Sequence, residues 1–467
     1  MLSMSMRLAK KATLMLLGAV GCSLVCVSAS YAAWSAPARV ASSRVWEYSR
    51  PLVATDRAGG GVLLWHREES LNETLGGIEA STRTKGSWSA PVVLASGRSA
   101  GAAFEPQLAM SARGQATAVW QNTNKIQVAS SRLEGFGRAR TLSGSVEGNA
   151  GPRVALDARG DATVVYPRSA TGLWVFTRRA GRRWRALPPF AGTSRSDISE
   201  PQVARDGRGE TILAWVRGDS GGGGLKVQAV VLGVNNSPER PPQTLFSSKN
   251  RSIGELHLAV NERGNAVLLW RQKAKGGPAV IEAATRRTGA RFGPPLTAVR
   301  EKEAGELSVA IDAHGFAALL FTRILSTQPG VPEESSELIP TYTQTAAVEV
   351  ATHSLGQRWS KPRQLAPQKA GSTFEPRVTC YPAGQELMAI WTNARFRSTE
   401  IFTYAGKIEA SAISPGGSWQ APTVVSPADS FAPALALGAN GKATAAWVGT
   451  PESTNSETIE TADYEPG

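Results

Sequence analysis

Cysteine, histidine and charged residues are all scarce in this chain. Its 467 residues include 3 Cys, 4 His and 6 Met, and 19% are charged. That supply excludes a disulfide scaffold and a metal centre rich in His or Cys. His66, His257, His314 and His353 have no metal-ligand spacing. No helix-period run of useful length is visible, so no Gly-rich phosphate loop can open a helix. Cys22 and Cys26 lie in the N-terminal leader described below, which leaves Cys380 alone and rules out an intrachain disulfide. What is present in quantity is glycine (47), proline (28) and apolar side chains (42%). A core can therefore form, cut by many turns, and global disorder is excluded.

The N-terminus reads as an export leader. Arg7, Lys10 and Lys11 precede an uncharged apolar run from Ala12 to Ser28, and Ser30 and Ala32 supply small residues for cleavage before Ala33. Residues 1–32 are then the signal peptide and 33–467 the mature chain, secreted or held at the cell envelope. No second apolar run of spanning length follows. The mature chain keeps 48 basic and 38 acidic side chains, a net charge of +10. That balance favours polyanions in general, without a signature for specific nucleic-acid recognition.

Internal similarity is the strongest signal. A Gly followed at a fixed distance by an aromatic recurs eight times: Gly59/Trp65, Gly114/Trp120, Gly160/Tyr166, Gly209/Trp215, Gly264/Trp270, Gly315/Phe321, Gly384/Trp391 and Gly441/Trp447. The spacing is six residues in every pair but the seventh, whose extra residue a β-bulge would absorb. Each unit reads as four strands, starting near residues 51, 106, 152, 201, 256, 307, 376 and 433. Strand A ends in a turn such as Asp157–Gly160, suited to a type I turn or a G1 bulge. Strand B runs into the aromatic. Strand C alternates, as in Ile78-Glu79-Ala80 and Ile281-Glu282-Ala283. Strand D opens on an aromatic with a Pro three places later, as in Trp88/Pro91 and Trp419/Pro422. Eleven of the 13 Trp fall in the strand B and strand D columns, which makes them packing residues between blades; Trp46 and Trp174 are the exceptions.

The eighth unit stops after strand C. The segment from Trp34 to Ser42 matches the strand D segment from Trp88 to Ser96 at six of nine places, so the N-terminus supplies the missing strand. An open solenoid would need caps at both ends, whereas a ring closes on itself. The expectation is an all-β fold: a single eight-bladed β-propeller of four-stranded blades, closed by the N-terminal strand and monomeric. The repeat resembles secreted bacterial β-propeller proteins, many of them uncharacterised, over Trp34 to Tyr464. Sialidase-like propellers are only distantly similar, because their Asp-box places one residue between Asp and Gly where Asp157 and Gly160 have two between them, and no Arg-Ile-Pro segment starts an arginine triad.

Function is far less legible than fold. The D–A links and B–C loops share one face, and the B–C loops vary in length: Thr322 to about Thr345 in blade 6, and His66–Gly77, Arg217–Gly224 and Thr392–Lys407 in blades 1, 4 and 7. Variable loops are where binding residues are carried. The residue before strand A is Glu in five units, Glu105, Glu200, Glu255, Glu306 and Glu375, against Arg50, Gly151 and Ala432 in the others. Near the channel mouth such a ring could take Ca²⁺ or a cationic ligand, or do acid/base work. The competing reading is a repeat residue that accepts a backbone N–H at the blade junction. On the opposite face, Arg178, Arg179, Arg182, Arg183 and Arg185 span the C–D hairpin of blade 3 and could hold a polyanion. Gly218-Asp219-Ser220-Gly221-Gly222 resembles the chymotrypsin-like nucleophile motif, but no matching Ala-Ala-His-Cys segment accompanies it. The sequence therefore points to an exported, non-enzymatic binding or scaffold propeller. Its ligand is a glycan, a cell-envelope polymer or a protein on the D–A/B–C face. The alternative is a glycoside-acting enzyme that uses the carboxylates.

Overall fold

The computed structural model describes residues 33–466, apart from 70–74, 85, 98–103, 133–134, 144–145, 147–150, 169–170, 191–195, 220–223, 330–341, 367–371, 382–383, 397–403, 415, 427–428 and 452–455. The leader lies outside the described residues. Eight antiparallel sheets follow one another along the chain, each in the order A-B-C-D. The A strands are Trp46–Thr55, Phe104–Met110, Arg153–Leu156, Ser196–Arg205, Arg251–Val260, Ala304–Ile311, Ser372–Cys380 and Ser430–Leu437. Each touches the A strand of the blade before and the blade after, so they close an inner ring. The protein is an eight-bladed β-propeller.

Closure follows the expected route. Ala33–Trp34 and Ala38–Ser43 pair antiparallel with Glu457–Glu465, strand C of the last blade, with Trp34 opposite Tyr464 and Ala41 opposite Ile459. The chain's first strand is thereby the outer strand of its last blade.

The strand-B aromatics are the pegs between blades. Trp65, Trp120, Tyr166, Trp215, Trp270, Phe321, Trp391 and Trp447 are all fully buried. Each sits against the preceding blade: Trp120 packs on Leu64 and Ile78, Trp215 on Val165 and Val175, and Trp65 on Val448 and Ile459 across the closure. The Glu of the strand C alternation stands directly opposite this column. Glu79 accepts the Trp65 indole N–H at 3.1 Å and Glu409 that of Trp391 at 3.2 Å; Gln127 and Gln228 do the same for Trp120 and Trp215. Blade 3 has Tyr166 in the column, and Trp174 replaces the acceptor and stacks on it at 6.4 Å between ring centres. Trp46 lies under the Arg67 guanidinium at 4.3 Å. Both exceptions to the two columns are thus packing residues as well.

Two details depart from the expected pattern. The extra residue of blade 7 is not in a bulge. Cys380 pairs with Leu387 and the B–C ladder runs on from Leu387 without a slip, so the strands are joined by six residues where the other blades have five. A surface turn accepts insertion more cheaply than a ladder with both faces buried. The B–C loops are also shorter than expected, because the strands continue into them. His66 lies inside strand B of blade 1, Gly61–Glu69, opposite Ile78. In blade 6 the strands Phe316–Pro329 and Tyr342–Ser354 form one long hairpin, paired as far as Pro329 with Tyr342. The β-branched and alternating residues of that segment satisfy their backbone groups across the hairpin.

Candidate functional site

The five glutamates lie inside strand A rather than before it. At each, the A–B ladder slips: between Ser199 and Gln202, Gly254 and His257, Gly305 and Ser308, Phe374 and Arg377, and Phe104 and Gln107. The bulged residue adopts a left-handed backbone, with φ of 52° at Glu105, 53° at Glu200, 51° at Glu255 and Glu306, and 54° at Glu375; Ala432 and Gly151 share it at 52° and 46°. A non-glycine residue there costs on the order of 1–2 kcal/mol, so something must hold it. Pro follows the bulged residue in six blades, which fits a place where no ladder N–H is needed.

What holds it is the next blade. Glu200 accepts the Leu256 N–H at 3.4 Å, Glu255 that of Leu307 at 3.2 Å, Glu306 that of Glu375 at 3.0 Å and Glu375 that of Ala432 at 2.7 Å. Each carboxylate therefore clasps the bulge of the blade that follows it. Glu306 and Glu375 also accept from Thr322 and Thr392 of their own blades, at 2.6 and 2.8 Å. Where Leu follows the bulge the Leu N–H donates; where Pro follows, the bulged residue's own N–H does. Glu105 makes polar contacts too, and of Arg50 the structure describes the backbone alone. At the closure from blade 8 to blade 1, where Ala432 offers no carboxylate, Glu457 accepts the Tyr48 N–H instead.

Burial pushes the Glu255 carboxyl above the usual range, opposed by Arg271 at 2.7 Å, with Glu200 and Glu306 adding repulsion. Among the described residues no three His, Cys, Asp or Glu groups stand in a metal-ligating arrangement. The carboxylates come from five different blades, and those of Glu200, Glu255, Glu306 and Glu375 are aimed at junctions.

The opposite end of the channel is narrow. Arg57, in the A–B turn of blade 1, reaches Glu262 of blade 5 at 3.7 Å and the Tyr381 hydroxyl of blade 7 at 2.5 Å. Blades 1 and 5 face each other across the ring, so these side chains span the A–B end. The A–B turns are braced within themselves: Asp157 accepts from Arg159 and Asp161, and Asp312 from His314 and Phe316. His314 is exposed in its turn.

The arginine cluster divides. Arg178 does not face solvent: its guanidinium lies over Trp184 at 4.9 Å and donates to Ser130 and Thr117 of blade 2. Arg83 of blade 1 makes the equivalent contacts, over Trp88 and to Asp463. Arg179, Arg182, Arg183 and Arg185 are exposed. Ser220 to Gly222 lie outside the described residues, so the Gly-Asp-Ser-Gly-Gly resemblance gains no geometry. Cys380 is half-buried, and burial pushes its thiol up to about 12, which leaves it a poor nucleophile.

Sequence reasoning passed over the strand A position two places beyond each bulge. There lie Gln107, Arg153, Gln202, His257, Ser308 and Arg377, in equivalent register. His257 is held down to about 4, first by burial and then by the positive charges of Arg377 and Arg153. It keeps partial access to solvent-sized space although its surroundings are dense, as a side chain lining a narrow lumen does.

No family profile matches the chain, and no curated protein does. Solved structures resemble it at low identity. The BP39L lectin from Burkholderia pseudomallei is 13% identical, with 81% of this chain and 99% of that one covered at a TM-score of 0.47. The polysaccharide lyase Uly1 is 8% identical, with 79% and 90% covered at 0.46. A Dyadobacter fermentans protein of unknown function is 10% identical, with 94% and 100% covered at 0.41. Likeness at this level leaves the reading of this chain to its own geometry.

Two outcomes follow from the clasps and the lumen. Glu375→Ala, which strips the Ala432 N–H of its acceptor, lowers the unfolding free energy in urea by about 1–3 kcal/mol; Glu375→Gln, which keeps a carbonyl oxygen there, costs less. His257 is neutral in the fold and has an ordinary value of 6.5 when unfolded, so the unfolded chain binds the extra proton between these values. Stability therefore falls as pH drops from about 7 towards 4, by roughly 3 kcal/mol for this group. Urea titrations of wild type and His257→Gln at the two ends of that window measure the difference, which the substitution removes.

Proposed function

We propose that the protein is an exported binding propeller that holds a cell-envelope glycan or polymer on its D–A/B–C face. The observation that carries this reading is the blade 6 hairpin. Its ladder runs seven residues beyond Thr322, to Pro329, about 23 Å at the usual rise, and it stands on the side where the B–C loops vary. Its described part presents Leu325, 40% exposed, as an apolar contact beside polar neighbours. A second consideration supports binding over glycoside cleavage. Hydrolysis needs two carboxyl groups facing one bond, and four of the five glutamates are engaged with backbone donors of the next blade. The leader at residues 1–32 makes export the natural route to such a ligand.

Replacing 326–345 by a two-residue turn tests the proposal. Binding to a panel of envelope polysaccharides is expected to fall at least about tenfold, with the melting temperature unchanged. Retained binding, or turnover of chromogenic glycosides that Glu375→Gln abolishes, would overturn it. A calcium ion at the glutamate ring belongs to the same proposal as a secondary site. Melts in chelator and in excess Ca²⁺ decide it, since a site saturated a hundredfold over its Kd adds about 2.7 kcal/mol.

A further inference from the structure

The end of the ring that carries the A–B turns is crowned with arginine. In blades 2 to 6 each turn is built alike. The side chain at its first place, Ser111, Asp157, Asp206, Asn261 or Asp312, accepts the N–H groups of the third and fifth residues. That brace holds the turn's backbone and leaves the third residue exposed: Arg113, Arg159, Arg208 and Arg263 in blades 2 to 5, and His314 in blade 6. Neighbouring turns touch, so the five form one arc. Arg159 donates to the Arg208 carbonyl at 2.7 Å, the Gly207 N–H to the Glu262 carbonyl at 3.0 Å and the Asn261 amide to the Asp312 carbonyl at 2.7 Å. The Gln115 side chain of blade 2 lies against Gly160 of blade 3. The C–D hairpin of blade 3 widens the arc. It is tied to its own A–B turn where Asp161 accepts the Ala180 N–H at 2.8 Å, and it exposes Arg182 and Arg183.

The carboxylates of this sector are mostly committed. Asp157, Asp206 and Asp312 are buried in their turns. Glu210 pairs with Arg286 at 2.9 Å and Glu262 with Arg57 at 3.7 Å. Glu239, beside Arg240, is the exposed acid there among the described residues. The guanidiniums of Arg113, Arg159, Arg208, Arg263, Arg182 and Arg183 have no carboxylate partner among the described residues.

We propose that this arc is a docking surface for a linear acidic polysaccharide, whose carboxylates meet the guanidiniums in succession as the chain follows the curve. Guanidinium forks suit carboxylates, and cations delivered one per blade suit charges that recur along a chain. The second places of the five turns hold Ala112, Ala158, Gly207, Glu262 and Ala313. They offer no aromatic ring on which nucleic-acid bases would stack and no large apolar side chain to enter a lipid headgroup layer. The surface lies on the face away from the blade 6 hairpin, and the inference stands whatever that hairpin binds.

The test titrates the intact protein into fluorescently labelled oligogalacturonate in about 0.15 M NaCl, where distant charges are screened, with neutral labelled dextran in parallel. Saturable binding of oligogalacturonate alone is expected, weakening as salt is raised. Arg113→Gln/Arg159→Gln/Arg208→Gln/Arg263→Gln should lower the affinity at least about tenfold. Lys125→Gln/Lys249→Gln/Lys275→Gln/Lys302→Gln removes as much charge from exposed positions on the opposite face, and should lower it no more than about twofold. Replacing 326–345 by a two-residue turn should leave it unchanged, which separates this surface from the binding face proposed above. No saturable binding, equal losses in the two quadruple variants, loss on removal of the hairpin, or binding to vesicles of about one-third phosphatidylglycerol in place of the glycan would each overturn the proposal. Should the arginine variant fail to fold, Arg182→Gln/Arg183→Gln, at the exposed hairpin, carries the same comparison with about a threefold loss expected.

Discussion

A four-stranded blade has two apolar faces and cannot bury either by itself, so each depends on a neighbour and the series must return to its start. This constraint governs the molecule. It places a fully buried aromatic at the centre of every blade and sets a strand C acceptor opposite most of the indoles. It also makes the chain's first strand the outer edge of its last blade. The strained left-handed bulge on strand A belongs to the same logic. Its cost is offset by a hydrogen bond that exists only when the next blade is in place, so the clasp ties local backbone conformation to ring assembly.

The ring also fixes where chemistry can happen. Asx-braced turns and the Arg57–Glu262–Tyr381 contacts occupy the A–B end. The other end keeps the long hairpin of blade 6 and the entrance to the lumen. Along the inner strands, four of the five glutamates are committed to the blade junctions.

Much of the fold was legible in the sequence because it repeats. The Gly/aromatic phase, the Ile-Glu-Ala alternation and the match between Trp34–Ser42 and Trp88–Ser96 each report a constraint imposed eight times. The glutamates were visible as a column, but their partners were not: four of the five bond a backbone N–H in the following repeat, more than fifty residues away, and backbone groups leave no trace in side-chain identity. The Pro that follows most bulged residues was the available signal, since a Pro inside an inner strand implies a ladder interruption. Arg178 was grouped with its exposed neighbours because adjacency in sequence hides that alternate residues of a strand face opposite ways. Arg153, His257 and Arg377 were missed for the converse reason. A search for what repeats passes over the positions where the blades differ.

The most direct test of ring closure is native-state amide hydrogen exchange, read peptide by peptide. If the N-terminal strand completes the last blade, the amides of Ala38–Ser43 that pair with strand C of blade 8 exchange with the same opening free energy as those of Thr458–Thr461, because the two strands open together. Rapid, unprotected exchange across Ala38–Ser43 beside a protected Thr458–Thr461 would contradict closure and, with it, the account of the clasps and of the lumen they enclose.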